Sequence, residues 1–108
     1  MGETGESSQN SVLKSKGKAA NCVLCQRAVA LTFHHLIPRK MHRRTYFRKN
    51  FTKQQLATGI WVCRQCHNGI HNLYDEMTLA KKYHNLSALK NDPALQKHIQ
   101  WVAKQKSH

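Results

Sequence analysis

Acidic residues are scarce in this sequence: five Asp and Glu stand against 18 Lys and Arg, for a formal charge of +13 over 108 residues. Such an excess points to a polyanionic partner, with nucleic acid first among the options. A membrane surface fits less well, because the basic residues do not line one face of a long amphipathic helix opposite a bulky apolar face. Long hydrophobic runs are missing too. No stretch reaches the roughly 18 apolar residues of a spanning helix, and the polar N-terminus has no signal-peptide core. The expectation is a soluble, intracellular, cytoplasmic protein, nucleoid-associated if bacterial. No fixed-period repeat is present beyond two Cys-x-x-Cys turns, and the length allows one domain at most.

Those turns are Cys22-Val-Leu-Cys25 and Cys63-Arg-Gln-Cys66, and they hold all four cysteines. In a secreted chain four cysteines can mean two disulfides, whereas paired Cys-x-x-Cys turns in a reducing compartment more often hold metal. Four thiolates fill the tetrahedral sphere of zinc and leave no open position, so a structural zinc on Cys22, Cys25, Cys63 and Cys66 is expected. A redox pair is the competing reading, but no thioredoxin-like pattern accompanies the cysteines.

Along the chain, residues 1–20 are rich in Gly, Ser, Glu, Lys and Asn and read as a flexible tail, in which Lys14, Lys16 and Lys18 are a solvated cluster or weak phosphate contacts. A first strand is expected over Ala28 to Phe33, ending near the adjacent His34 and His35, with Pro38 stopping regular pairing. Arg39 to Lys53 is the most basic segment, interleaved with Tyr46, Phe47 and Phe51; the four-residue spacing of Phe47 and Phe51 turns one side of a helix inward. Thr52 and Gln55 resemble a capping box for a short helix that stops at Gly59. Ile60-Trp61-Val62 reads as the return strand. Helices are expected from His67 to Leu73, from Asp75 to His84, and from Asp92 to Lys104, the last with Asp92 as N-cap and Pro93 in the first turn. Trp101 and Tyr83 read as core or packing residues rather than base-stacking platforms.

The histidines carry the chemistry. His67 and His71 are four apart and share a helix face, within reach of one metal ion. His34 and His35 are neighbours at a strand end and so point to different sides, which suits one to ligation and the other to proton transfer. Phosphodiester hydrolysis asks for a base that titrates near neutrality and a Lewis acid for the pentacovalent charge and the leaving oxygen.

Read together, Cys22-x-x-Cys25, His34-His-Leu-Ile-Pro38 and Cys63-x-x-Cys-His-x-x-x-His71 resemble the HNH endonuclease family over about Cys22 to Leu73. The resemblance implies an α+β fold with a small ββα-metal core, a β-hairpin plus helix, clamped by the four-cysteine zinc and extended by C-terminal helices, the nuclease domain covering 21–108. It implies His35 as general base and His34, His67 and His71 as ligands of a catalytic divalent cation. Nitrogen ligands favour transition metals over magnesium in the range Mg2+, Mn2+, Ni2+, Co2+ or Zn2+. The Asn of the family name falls at Thr58, nine residues before His67, which leaves the bracing of the base loop to the Thr58 hydroxyl or to a backbone carbonyl.

The function expected is metal-dependent endonucleolytic cleavage of DNA, or of RNA, by a monomer or homodimer without membrane attachment. Arg39, Arg43, Arg44 and Arg48 are the expected phosphate contacts, with Arg64 and Lys81 as extras. The alternative is a non-catalytic zinc-ribbon module that binds nucleic acid. A third option, a transcription-associated protein-interaction domain, calls for more exposed apolar surface and less positive charge.

Overall fold

The computed structural model describes residues 11–14 and 17–105 and is an α+β fold. Its three-stranded antiparallel sheet contains β1 (Val12–Leu13), β2 (Leu31–His35) and β3 (Thr58–Cys63) in the order β1-β3-β2. A 3-10 helix (Arg39–Met41), α1 (Thr45–Asn50) and α2 (Lys53–Ala57) lie between β2 and β3. After β3 come α3 (Arg64–Leu73), α4 (Glu76–Lys82), α5 (Leu86–Lys90) and α6 (Pro93–Ala103).

β3 is the central strand, and five of its six residues are buried. It pairs with β2 from Leu31↔Cys63 to His35↔Gly59, and with β1 at Val12↔Gly59 and Leu13↔Thr58. Gly59 leaves no room for a side chain. A Cβ there would meet the backbone carbonyl of His34 and the Phe33 ring, with Phe33 Cε2 at 2.6 Å.

α3 follows β3 without a linker, its N-cap being Cys63, so the expected strand-strand-helix order is present. The main core joins the four cysteines to Ile60 and Val62 of the sheet, Ile70 of α3, and Leu79, Leu86, Leu95 and Val102 of the later helices. A smaller core of Ile37, Met41, Phe47, Leu56 and Ala80 seats the segment between β2 and β3. The capping box of Thr52 and Gln55 is formed in both directions, and Phe47 is buried as its spacing requires. Asp92 caps α6 and also accepts hydrogen bonds from the Tyr74 and Tyr83 hydroxyls at 2.6 and 2.9 Å.

Several expectations change. β2 covers Leu31–His35, later than expected, because the Arg27 carbonyl closes back onto the Cys22 amide and the chain leaves that turn before it can pair; both histidines therefore sit inside the strand. The return strand starts at Thr58 and α3 at Arg64, because the Cys63 thiol accepts from the Cys66 amide and opens the helix there. Of the tail expected over 1–20, residues 1–10 and 15–16, Lys16 among them, lie outside the described residues, but Val12–Leu13 form an edge strand on β3. Trp101 is 54% exposed on α6 rather than core, while Tyr83 is half-buried and stacks on Tyr74. No helix among the described residues is long and apolar enough to cross a membrane.

Candidate metal centres and histidine cleft

The first turn and the β3–α3 junction bring four thiols to one point. The Cys25 amide donates to the Cys22 sulfur and the Cys66 amide to the Cys63 sulfur, each at 3.4 Å, and the Val23 amide ties the first turn to the Trp61 carbonyl. All four sulfurs lie within 4.8 Å of one another, and those of Cys25 and Cys63 are 3.7 Å apart. A tetrahedral zinc with bonds of about 2.3 Å separates its sulfurs by about 3.8 Å, so the donor set fits a structural ion of this kind. All four cysteines are buried.

Packed this way the thiols cannot all ionise unaided. The hydrogen bond from Cys66 draws Cys22 down to about 4 and pushes Cys66 up, while burial pushes Cys25 up. Positive charge comes from Arg27, whose Nη2 donates to Cys63 Sγ at 3.6 Å and to Gln65 Oε1 at 2.6 Å. Its Nη1 reaches the Gln105 carbonyl at 3.2 Å, which fastens the chain beyond α6 to the same centre.

The second group consists of His34, His67 and His71, whose ligating nitrogens also lie within 4.8 Å of one another. Ring centroids are 5.2 Å apart for His34–His67 and His34–His71, and 5.0 Å for His67–His71. Alternation along β2 turns His34 toward α3 and leaves His35 on the opposite face with Phe33. His34 is fully buried, and neither ring nitrogen has a hydrogen-bond partner among the described residues. Buried nitrogens of this kind are rare and call for a partner, and a divalent cation shared with His67 and His71 supplies one.

The tautomer of His67 follows from its neighbour. Thr32 Oγ1 donates its single proton to the Val62 carbonyl at 3.1 Å, so at 2.8 Å it must accept from His67 Nδ1. His67 then presents Nε2 as a lone pair, the arrangement that fixes a ligating imidazole.

Burial holds all three rings neutral, as metal ligation requires. His34 is pushed down to about 3 by burial and then by His67, and His67 to about 4 by burial and then by His71. His71 is lowered by burial against an opposing pull from Glu76.

A cleft lined by Phe33, His34, His35, Pro38, Arg39, Lys40, His67, His71 and Glu76 reaches these groups. His35 opens into it from the other strand face, with its pKa lowered by burial first and then by His42, Arg39 and Lys14. Gly69, a poor residue for the helix that carries His67 and His71, admits the ring of His98 from α6, which a Cβ would strike.

The chain is 36% identical to the uncharacterized protein YisB of Bacillus subtilis over 92 residues, 84% of this chain and 81% of YisB. It belongs to the YisB family. No family model matches the chain, and no solved structure matches it. The alignment with YisB extends well beyond the stretch from Cys22 to Leu73 that holds both candidate metal-ligand groups.

The basic residues expected on phosphate are divided among three surfaces. Arg39 lines the histidine cleft; Arg43 and Arg48 line a groove with His42, Phe51 and Lys53; Arg44 and Lys81 border a hollow over Phe47 and Met77. Arg64, at the first turn of α3, stands close enough to His67 to lower its pKa. The Thr58 hydroxyl donates to the Gln54 carbonyl at 2.9 Å. The Thr58 backbone carbonyl accepts from the Leu36 amide at 3.2 Å, just past His35.

Thr32, Arg27 and Glu76 escape a reading confined to motifs. The period of two along β2 puts Thr32 on the same face as His34, a signal that was available in the sequence. Nothing local marks the other two, because the fold alone brings them to the centres.

Proposed function

We propose that this chain is a metal-dependent endonuclease of the HNH type that hydrolyses phosphodiester bonds in DNA. The observation that carries this reading is the convergence of His34, His67 and His71, from two adjoining elements, on a cleft that also receives His35. A merely structural cluster would not need three neutral imidazoles with a buried, unpartnered member at its floor. The formal charge of +13 suits a polyanionic substrate.

In this mechanism His35, neutral at physiological pH, takes a proton from water that attacks the phosphorus. Arg39 and Lys40 at the rim face the phosphate oxygens, and Lys40 must exchange its 3.7 Å ion pair with Glu76 to do so. His34, His67 and His71 would hold a divalent cation, which would supply Lewis-acid stabilisation of the developing charge and of the leaving oxygen. Thr32 keeps His67 oriented, and the cysteine centre holds β3 and α3 at the angle that brings His34 to His67.

The test is conversion of supercoiled plasmid to nicked and linear forms by wild type and by His35→Ala, across divalent metals and with chelator. The expected outcome is metal-dependent cutting by wild type and a loss of about 10²-fold or more in the variant, both proteins still shifting DNA. If neither protein cuts in any metal while both bind, the chain is a non-catalytic zinc-bearing nucleic-acid module.

A further inference from the structure

His35 sits at the end of β2, and among the described residues no hydrogen bond holds its ring. Its neighbours are aromatic: Phe33 meets it edge-on at 5.0 Å between centroids and 89°, and His42 at 5.8 Å and 69°. Room for Phe33 comes from Gly59, opposite His35 in the sheet.

His42 is itself held at two points. Its amide donates to the Arg39 carbonyl at 3.1 Å, closing the 3-10 helix, and its Nε2 lies 2.7 Å from the Ile37 carbonyl. A carbonyl can only accept, so Nε2 carries a proton and donates it. The segment after His35 is thus clamped twice, by Leu36 N–H on the Thr58 carbonyl and by His42 Nε2–H on the Ile37 carbonyl.

We propose that His42 is the positioning residue for His35: it locks the Leu36–Pro38 turn through the Ile37 carbonyl and packs its ring against the imidazole of His35. This rests on the reading of His35 as the base. It adds His42 to the bracing task expected of the Thr58 hydroxyl, which is engaged with Gln54, or of a backbone carbonyl. Small displacements of a catalytic group are costly, about 10²-fold for 1 Å, so a loose His35 should show in turnover rather than in substrate binding.

The experiment compares His42→Ala with His42→Gln, whose amide N–H can still reach the Ile37 carbonyl. Both are assayed for kcat and KM in plasmid nicking and by NMR of the His35 ring, with thermal melts and zinc content as controls on folding. His42→Ala is expected to lower kcat by about 10- to 100-fold with KM within about twofold, and His42→Gln to restore most of the loss. In the NMR spectra, His42→Ala should average the His35 ring signals and reduce their ring-current shift from Phe33. A wild-type kcat in His42→Ala, a loss confined to KM, or equal losses in both variants overturns the proposal. Should wild type cut nothing, the nuclease reading falls on that result alone. The NMR comparison still decides the positioning role: His35 signals unchanged in His42→Ala would refute it.

Discussion

Thr32 Oγ1 accepts the Nδ1 proton of His67 at 2.8 Å while giving its own proton to the Val62 carbonyl. This bond ties a strand residue to a helix histidine and decides which nitrogen of His67 is free. Thr32→Val keeps the β-branched shape and removes the acceptor, and outer partners of this kind are worth about 10- to 100-fold in metal affinity. Titration with Mn2+ or Co2+ should show a loss in that range at the histidine site, with the cysteine-bound zinc retained. Unchanged affinity would mean that Thr32 does not orient the ligand.

The cysteine centre should hold close to one zinc per chain after exhaustive dialysis, since its four sulfurs fill the coordination sphere and lie in the main core. Binding to structural sites is worth about 10 kcal/mol or more near pH 7, a magnitude comparable with the whole stability of a small domain. Cys63→Ser or strong chelation is therefore expected to abolish the cooperative thermal transition. Two disulfides in a thiol count on protein purified under reducing conditions would contradict the assignment.

Cleavage should reach its plateau at lower pH than an ordinary histidine allows. Burial, then His42, Arg39 and Lys14, lowers the pKa of His35, so the neutral base persists below about 6.5. Sequence alone puts the rise between about pH 6 and 8, and the buried position moves it downward. With the cysteine centre loaded and the histidine site free of metal, the protein should also lose stability as pH falls below about 6.5. His34 and His67 stay neutral when folded, at about 3 and about 4, but take up protons on unfolding, and each contributes at most about 1.4 kcal/mol per pH unit. Thermal melts from pH 7 to 5.5 of protein that keeps its cysteine-bound zinc but has no divalent cation added for the histidines check the sign, and a flat profile would contradict the burial of His34.

Affinity for DNA should fall steeply with salt, as counterions are released from the phosphates that the protein covers. Arg43→Gln or Arg48→Gln, in the groove beside His42, should each reduce the log–log salt slope by about one with little change in chemistry at saturating DNA. Arg39→Gln, at the cleft itself, should lower the cleavage rate as well. An affinity independent of salt would remove the basic segment from the interface.

Much of the site is legible in the sequence because its parts are local. Two Cys-x-x-Cys turns, an i,i+4 histidine pair on a helix and a doublet of histidines each follow from spacing, and the structure brings together the cysteine group and the group of His34, His67 and His71. The capping box at Thr52 and the Asp92 cap follow in the same way from side chains that bond amides three residues on. Val12–Leu13 escaped because a two-residue strand in polar surroundings has no period to detect, and it forms only because β3 has a free edge. Trp101 lies outside the core, against His98, because helical spacing fixes which residues share a face, not which face meets another element.

What the sequence determined by itself is therefore the set of chemically capable groups and their short-range order: four thiols in two turns, imidazoles at fixed offsets, and an excess of positive charge. Tertiary structure alone decided which of those groups meet. His34 of β2 faces His67 of α3, Thr32 selects the nitrogen that His67 presents, and His42 rather than the Thr58 hydroxyl reaches the turn behind His35. The physical reason is range: backbone sterics and hydrogen-bond spacing act over a few residues, whereas these contacts exist only after β2, β3 and α3 have packed into one core.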